Sequence, residues 1–149
     1  MHGFRSAFAL GLALLTGALL AACGGTDEKN DYVDEINGLQ QSYQAEIAQS
    51  SVPTNLAEVR ALSQKAAELD DRLAADVAAV DPPGDVEDLH VELVTTLEES
   101  AATTADLEQV VRSTSNRREL QRAIAEADRN TEATIDEFNS LIDQINEEL

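Results

Sequence analysis

Tryptophan is absent from this 149-residue chain, which also has one cysteine, three prolines, two tyrosines and three phenylalanines. A single cysteine rules out any disulfide within one molecule, whatever the redox compartment. Pockets that hold sugars or other large ligands rely on aromatic walls, so a solute-binding protein of the two-lobed kind is not expected, and the chain is short for one. Positive charge is scarce as well: 10 Lys and Arg stand against 29 Asp and Glu, a formal charge of −19. A surface this acidic repels nucleic acid and anionic lipid, which removes both as partners of the domain surface. Cationic partners, metal ions and simple solubility remain. The chain also lacks G-x-S-x-G, S-x-x-K, a phosphate-binding loop and a dinucleotide glycine motif. Nothing in the spacing of its carboxylates arranges them for acid–base work, so the expectation is a protein that is not an enzyme.

What is present begins at the N-terminus. His2 and Arg5 precede a run from Ala7 to Ala22 that is built of Ala, Leu, Gly and other small or apolar residues and holds no acid. This is the charged-then-apolar layout of an export signal, with an uncleaved anchor as the alternative. The run ends Leu20-Ala21-Ala22-Cys23, followed by Gly24, Gly25 and Thr26. Small residues before a scissile bond suit a signal peptidase, and a cysteine directly after it is something a general secretory site does not require.

Leu20-Ala21-Ala22-Cys23 resembles the lipobox of bacterial lipoproteins. The resemblance implies cleavage between Ala22 and Cys23, a diacylglycerol on the Cys23 thiol, further acylation of the palmitate type, and a protein lipid-anchored on the extracytoplasmic face of the cell membrane. It implies no other cofactor. Each buried methylene contributes about 0.8 kcal/mol, so two long chains hold a soluble domain where one would exchange. The division that follows is 1–22 signal peptide, 23–30 lipidated cysteine and flexible tether, and 31–149 acidic helical domain. Together with the passage Val80-Asp-Pro-Pro-Gly-Asp-Val-Glu-Asp-Leu-His90, the lipobox makes the whole chain similar to small helical lipoproteins of high-GC Gram-positive bacteria. That class carries no activity with it.

Beyond residue 30 apolar residues recur at helical spacing in four segments, and none alternates as a half-buried strand does. The first, about Asp31 to Gln49, has Val33, Ile36, Tyr43 and Ile47 on one stripe and is weakened by Gly38. Thr54 or Asn55 caps the second, whose inner stripe is Val59, Leu62, Ala66, Leu69, Leu73, Val77 and Val80. Asp81-Pro82-Pro83-Gly84-Asp85 is the strongest break. The third helix follows, with Asp85, Glu87 and Asp88 at its favourable N-terminal end. Asn116 and Glu119 have capping-box spacing ahead of the fourth. That helix carries a coiled-coil-like seam through Leu120, Ile124, Ala127, Thr131, Thr134, Phe138, Leu141 and Ile145. Short connections predict an all-α, antiparallel up-down four-helix bundle, with a dimerising helical hairpin as the alternative.

Three groups of side chains are candidates for chemistry. Glu87 and His90 form one E-x-x-H, but diiron bundles need two such motifs, and His90 is the only histidine after residue 22. A structural histidine is the plainer reading and a single-site or dimer-bridging metal the sharper one. Arg112, Arg117, Arg118 and Arg122, with Arg129 beyond them, gather around the last turn, either as an anion or partner site or as members of surface ion pairs. Thr103, Thr104, Thr131 and Thr134, with Ala101 and Ala127, are expected to meet where the third and fourth helices cross, as a close approach or as a polar cavity. The leading functional expectation is a membrane-anchored, non-enzymatic envelope lipoprotein that binds another envelope protein or serves structurally. The rival is a metal or small-cation binder using His90 and its neighbouring carboxylates.

Overall fold

The computed structural model describes residues 27–149, the side chain of Arg117 excepted. Four helices pack into a bundle: α1 Asp27–Ala48, α2 Leu56–Ala78, α3 Glu87–Ser113 and α4 Arg117–Glu148, with a short 3-10 turn, Gly84–Val86, leading into α3. No strand occurs among the described residues.

Each boundary has a local cause. Asn55 caps α2 by accepting the amide of Glu58 at 3.0 Å, and the Glu58 carboxylate reaches back to Thr54, accepting its backbone N–H and its hydroxyl. Those donated bonds hold the Glu58 carboxyl below its ordinary range. This is a capping box displaced by one residue. The Asp81–Gly84 break separates α2 from the 3-10 turn, since Pro82 and Pro83 cannot donate and push the residues before them out of helical geometry. At α4 the expected pairing of Asn116 with Glu119 is corrected. Asn116 does cap, accepting from Arg118 N–H, but the Glu119 carboxylate takes the Thr114 hydroxyl at 2.8 Å, and Thr114 Oγ1 accepts the Asn116 amide. Thr114 is buried at this turn and its hydroxyl engages the glutamate instead.

The start of α1 is a second correction. Residues 27–30, expected to be tether, are helical. Asp27 and Glu28 stand in the first turn, where the helix dipole favours acids, and the Lys29 ammonium binds Asp85 at 2.8 Å and the Glu148 carbonyl at 3.2 Å. That bond holds the Asp85 carboxyl below the usual carboxylate range.

The interior has two apolar clusters. The larger draws on all four helices, with Tyr32, Val33 and Ile36 from α1, Leu69 and Leu73 from α2, Leu93 and Leu97 from α3, and Phe138, Leu141, Ile142 and Ile145 from α4. The smaller joins Val59, Val111, Leu120 and Ile124, with Leu107 against it, and takes nothing from α1. The reason is where α1 stops: its end meets α2 at Lys65, which donates to the Glu46 carbonyl, so the part of α2 before Lys65, Val59 included, runs on beyond α1. One end of the bundle, the base, joins the start of α1, the 81–86 segment and the end of α4 through Lys29. The other, the tip, joins the start of α2 to the 114–116 turn through Arg60.

Gly38 is exposed in the middle of α1, and a Cβ built there meets nothing within 4 Å. Gly38→Ala is therefore expected to stabilise the fold by about 1 kcal/mol, mostly by restricting the unfolded chain. Thermal unfolding should show a rise of roughly 4 °C.

Candidate functional site

Between the two clusters lies a belt of polar side chains. Asp70 on α2, 8% exposed, accepts two hydroxyl bonds, from Tyr43 of α1 and from Thr104 of α3, both at 2.6 Å. Lengths this short are those of O–H donors to a charged acceptor. Burial still dominates and raises the Asp70 carboxyl above its ordinary range, and it raises the Tyr43 phenol too, with the Asp70 charge adding to that shift. Beside them is a cavity of about 20 Å³ walled by Leu73, Leu97, Ser100, Thr134 and Phe138. It is about the size of one water molecule and too small for an organic substrate. Asp70 thus fastens three helices at one height, where an apolar residue would leave their relative register free.

A second buried pair sits nearer the base. His90 Nδ1 lies 3.1 Å from the Tyr32 hydroxyl, with the two rings edge to face. Burial lowers the His90 imidazole from its usual value and pushes the Tyr32 phenol up to about 12. The Tyr32 hydroxyl and Nδ1 share one hydrogen bond, whose direction is set by which ring nitrogen carries the proton. Glu87, one turn earlier, is exposed, so the two members of the E-x-x-H stand in different environments. Among the described residues no group of three or more His, Cys, Asp or Glu is placed to hold a metal ion.

The lowered imidazole sets the sign of a pH effect. An unfolded His90 takes up a proton below about pH 6.5, while the folded one resists until lower pH, so its contribution to stability is lost as pH falls from that point towards the folded value. His90→Gln has no such proton to bind. The stability advantage of the natural chain over this variant should shrink between pH 7 and about pH 5 by denaturant titration; a constant gap would show that His90 is not held neutral.

The scarce cations are divided by task. Lys65 donates to the Glu46 carbonyl and to Ser50 Oγ, Arg60 to the Val111 and Thr114 carbonyls, and Lys29 to the Glu148 and Leu149 carbonyls. Each closes the C-terminal end of a helix other than its own. α1 and α4 have no basic residue in their own last turns, so the negative end of each dipole is met from a neighbour. Arg72 pairs with Glu46 and holds that carboxyl below its ordinary range. The predicted arginine group behaves otherwise. Arg112, Arg118 and Arg122 are exposed at the tip. Arg112 makes one loose contact with Glu108 at 3.4 Å, and Arg118 and Arg122 enter no salt bridge among the described residues. The side chain of Arg117 lies outside the described ones, as do Ala22 and Cys23.

The threonine group does not converge. Thr104 goes to Asp70, Thr134 lines the small cavity, and Thr103 with Ala123 and Ala127 lines an open groove of about 200 Å³ between α3 and α4. Thr103 and Thr134 bond the carbonyls four residues back in their own helices.

Asp70, Tyr32, Arg60 and Lys29 escaped the sequence reading. Asp70 and Ser63 do fall in the inner register of α2, beside the Leu62, Leu69 and Leu73 stripe, and that is the signal that could have found them. Comparison with protein-family models, curated proteins and solved structures returns no match.

Proposed function

We propose that this protein is a bacterial lipoprotein: residues 1–22 direct export and are removed, Cys23 carries the lipid, and an antiparallel up-down four-helix bundle is held on the extracytoplasmic face as a non-enzymatic interaction module. One observation carries the reading, Leu20-Ala21-Ala22-Cys23 at the end of an acid-free apolar run. No described helix is long and apolar enough to cross a membrane. Lys29, six residues after Cys23, is fastened to Asp85 and to the end of α4, so a load applied at the cysteine is passed to three elements and not to α1 alone. The up-down arrangement is supported by the contacts Tyr43–Asp70, Asp70–Thr104 and Lys29–Glu148, each joining the heights at which helices reversing direction at every turn would meet.

Protease added to intact cells or to spheroplasts with a sealed inner membrane tests the address. The domain should be digested in whichever preparation exposes the outer face of the membrane, while a cytoplasmic marker survives. Protection of the domain together with the marker would contradict the proposal.

A further inference from the structure

We propose that the tip of the bundle is a docking surface for an acidic, partly apolar segment of another protein. The inference deepens the interaction-module reading and names its partner by chemistry, and it does not depend on the lipid.

The first support is the division of cations. Lys29, Arg60 and Lys65 close helix ends, and Arg72 is paired with Glu46. The fold uses those four internally. Arg118 and Arg122, by contrast, are exposed without a salt bridge among the described residues, and Arg112 is held only by an i,i+4 contact with its side chain 70% exposed. Contacts of that kind contribute little. Arg122 Nε reaches only the Arg118 carbonyl of its own helix, at 3.4 Å, so in a chain of formal charge −19 these cations are left facing solvent at one end.

A second observation comes from different residues. Among the described residues the exposed large hydrophobics are Val52, Leu56 and Val91, at 61, 38 and 60%. Two of the three, Val52 and Leu56, belong to the segment that enters α2, and Arg60, one turn on, bonds the Val111 and Thr114 carbonyls beside the arginines. Arginine is enriched in protein–protein contacts, and the aliphatic side chains of Val52 and Leu56 are exposed at the same end of the bundle.

Charge selects among partners. The base carries Asp27, Glu28, Asp81, Asp85, Glu147 and Glu148. With a screening length of about 8 Å in physiological salt, a compact acidic segment meeting the tip end-on feels the arginines. A long polyanion laid along the bundle, or an anionic bilayer, also meets the acidic flanks. The apolar residues favour a protein segment further, since a polymer of phosphates has nothing to place on Val52 and Leu56.

The test uses the purified full chain in detergent and a fluorescein-labelled synthetic peptide of glutamates with leucine at every fourth position, followed by anisotropy. All-glutamate peptide and inorganic polyphosphate are run beside it. Binding of the Glu/Leu peptide should weaken at least tenfold in the Arg118→Glu, Arg122→Glu double variant and severalfold in Val52→Ser, Leu56→Ser. Arg118→Glu alone should weaken it more than Arg129→Glu, which makes the same charge change three turns along α4. Circular dichroism and thermal unfolding of each variant confirm that the bundle is intact. The inference is overturned by no binding of the Glu/Leu peptide, by equal effects of Arg118→Glu and Arg129→Glu, or by tighter binding of polyphosphate. Because the assay reads the tip whether or not Cys23 carries lipid, failure here leaves the lipoprotein reading to be judged on its own.

Discussion

Cys23→Ser is expected to move the protein from the fully membrane-bound to the largely soluble or uncleaved state. A serine oxygen is not the nucleophile that accepts diacylglycerol in lipoproteins, so neither the thioether nor the cleavage that depends on it should follow. At about 0.8 kcal/mol per buried methylene, loss of two long acyl chains removes far more binding free energy than any contact the acidic surface could make with anionic lipid. Two outcomes fit, both read by fractionation and gel mobility: a larger precursor retained by its apolar run, or a chain cut elsewhere and released. A variant of unchanged mobility that stays membrane-bound after the natural cut would contradict the account.

Asp70→Ala should have the largest effect on folding. The substitution leaves the Tyr43 and Thr104 hydroxyls without their shared acceptor in the interior and enlarges the cavity beside Leu73 and Phe138. Two stranded donors and a void together cost about 3 kcal/mol, to be read from urea unfolding. Asp70→Asn keeps the shape and one acceptor oxygen and should cost far less. Its pH dependence has a definite sign. Burial raises the Asp70 carboxyl in the folded state, so below the range where the unfolded carboxyl ionises it makes no difference. As pH rises through that range the unfolded chain releases its proton first, and the natural protein loses stability relative to Asp70→Asn until the folded group ionises too. A gap between the two that does not change with pH would show that burial does not control this carboxyl.

Helical periodicity was readable because burial leaves its mark on every third or fourth residue. The seam is buried at Leu120, Ile124, Phe138, Leu141 and Ile145 and only half-buried at Ala127, Thr131 and Thr134, and the Asp-Pro-Pro-Gly break lies where proline chemistry puts it. The polar belt was harder to see. Whether a polar residue in an inner register, such as Asp70 or Ser63, is an error in the stripe or a fastened group depends on which hydroxyls stand across from it, and those come from α1 and α3. Helix ends failed for the same reason. Lys29 reads as part of a polar tether until Asp85 and the α4 carbonyls are brought beside it, and Asn116 with Glu119 reads as a box until Thr114 folds in between. The basic group was legible as a cluster, but its exposure, and the employment of the other cations elsewhere, needed the bundle. The lipobox-like stretch Leu20 to Cys23 lies before residue 27, and for the proposed lipidation the sequence pattern is the whole argument.

The most direct measurement is intact and N-terminal mass spectrometry of the protein extracted from membranes. The account predicts a chain beginning at Cys23 and heavier than its amino-acid mass by a thioether-linked diacylglycerol, with or without a further acyl group. An unmodified chain that still begins at Met1, or one that starts at another residue with a free Cys23 thiol, would contradict it.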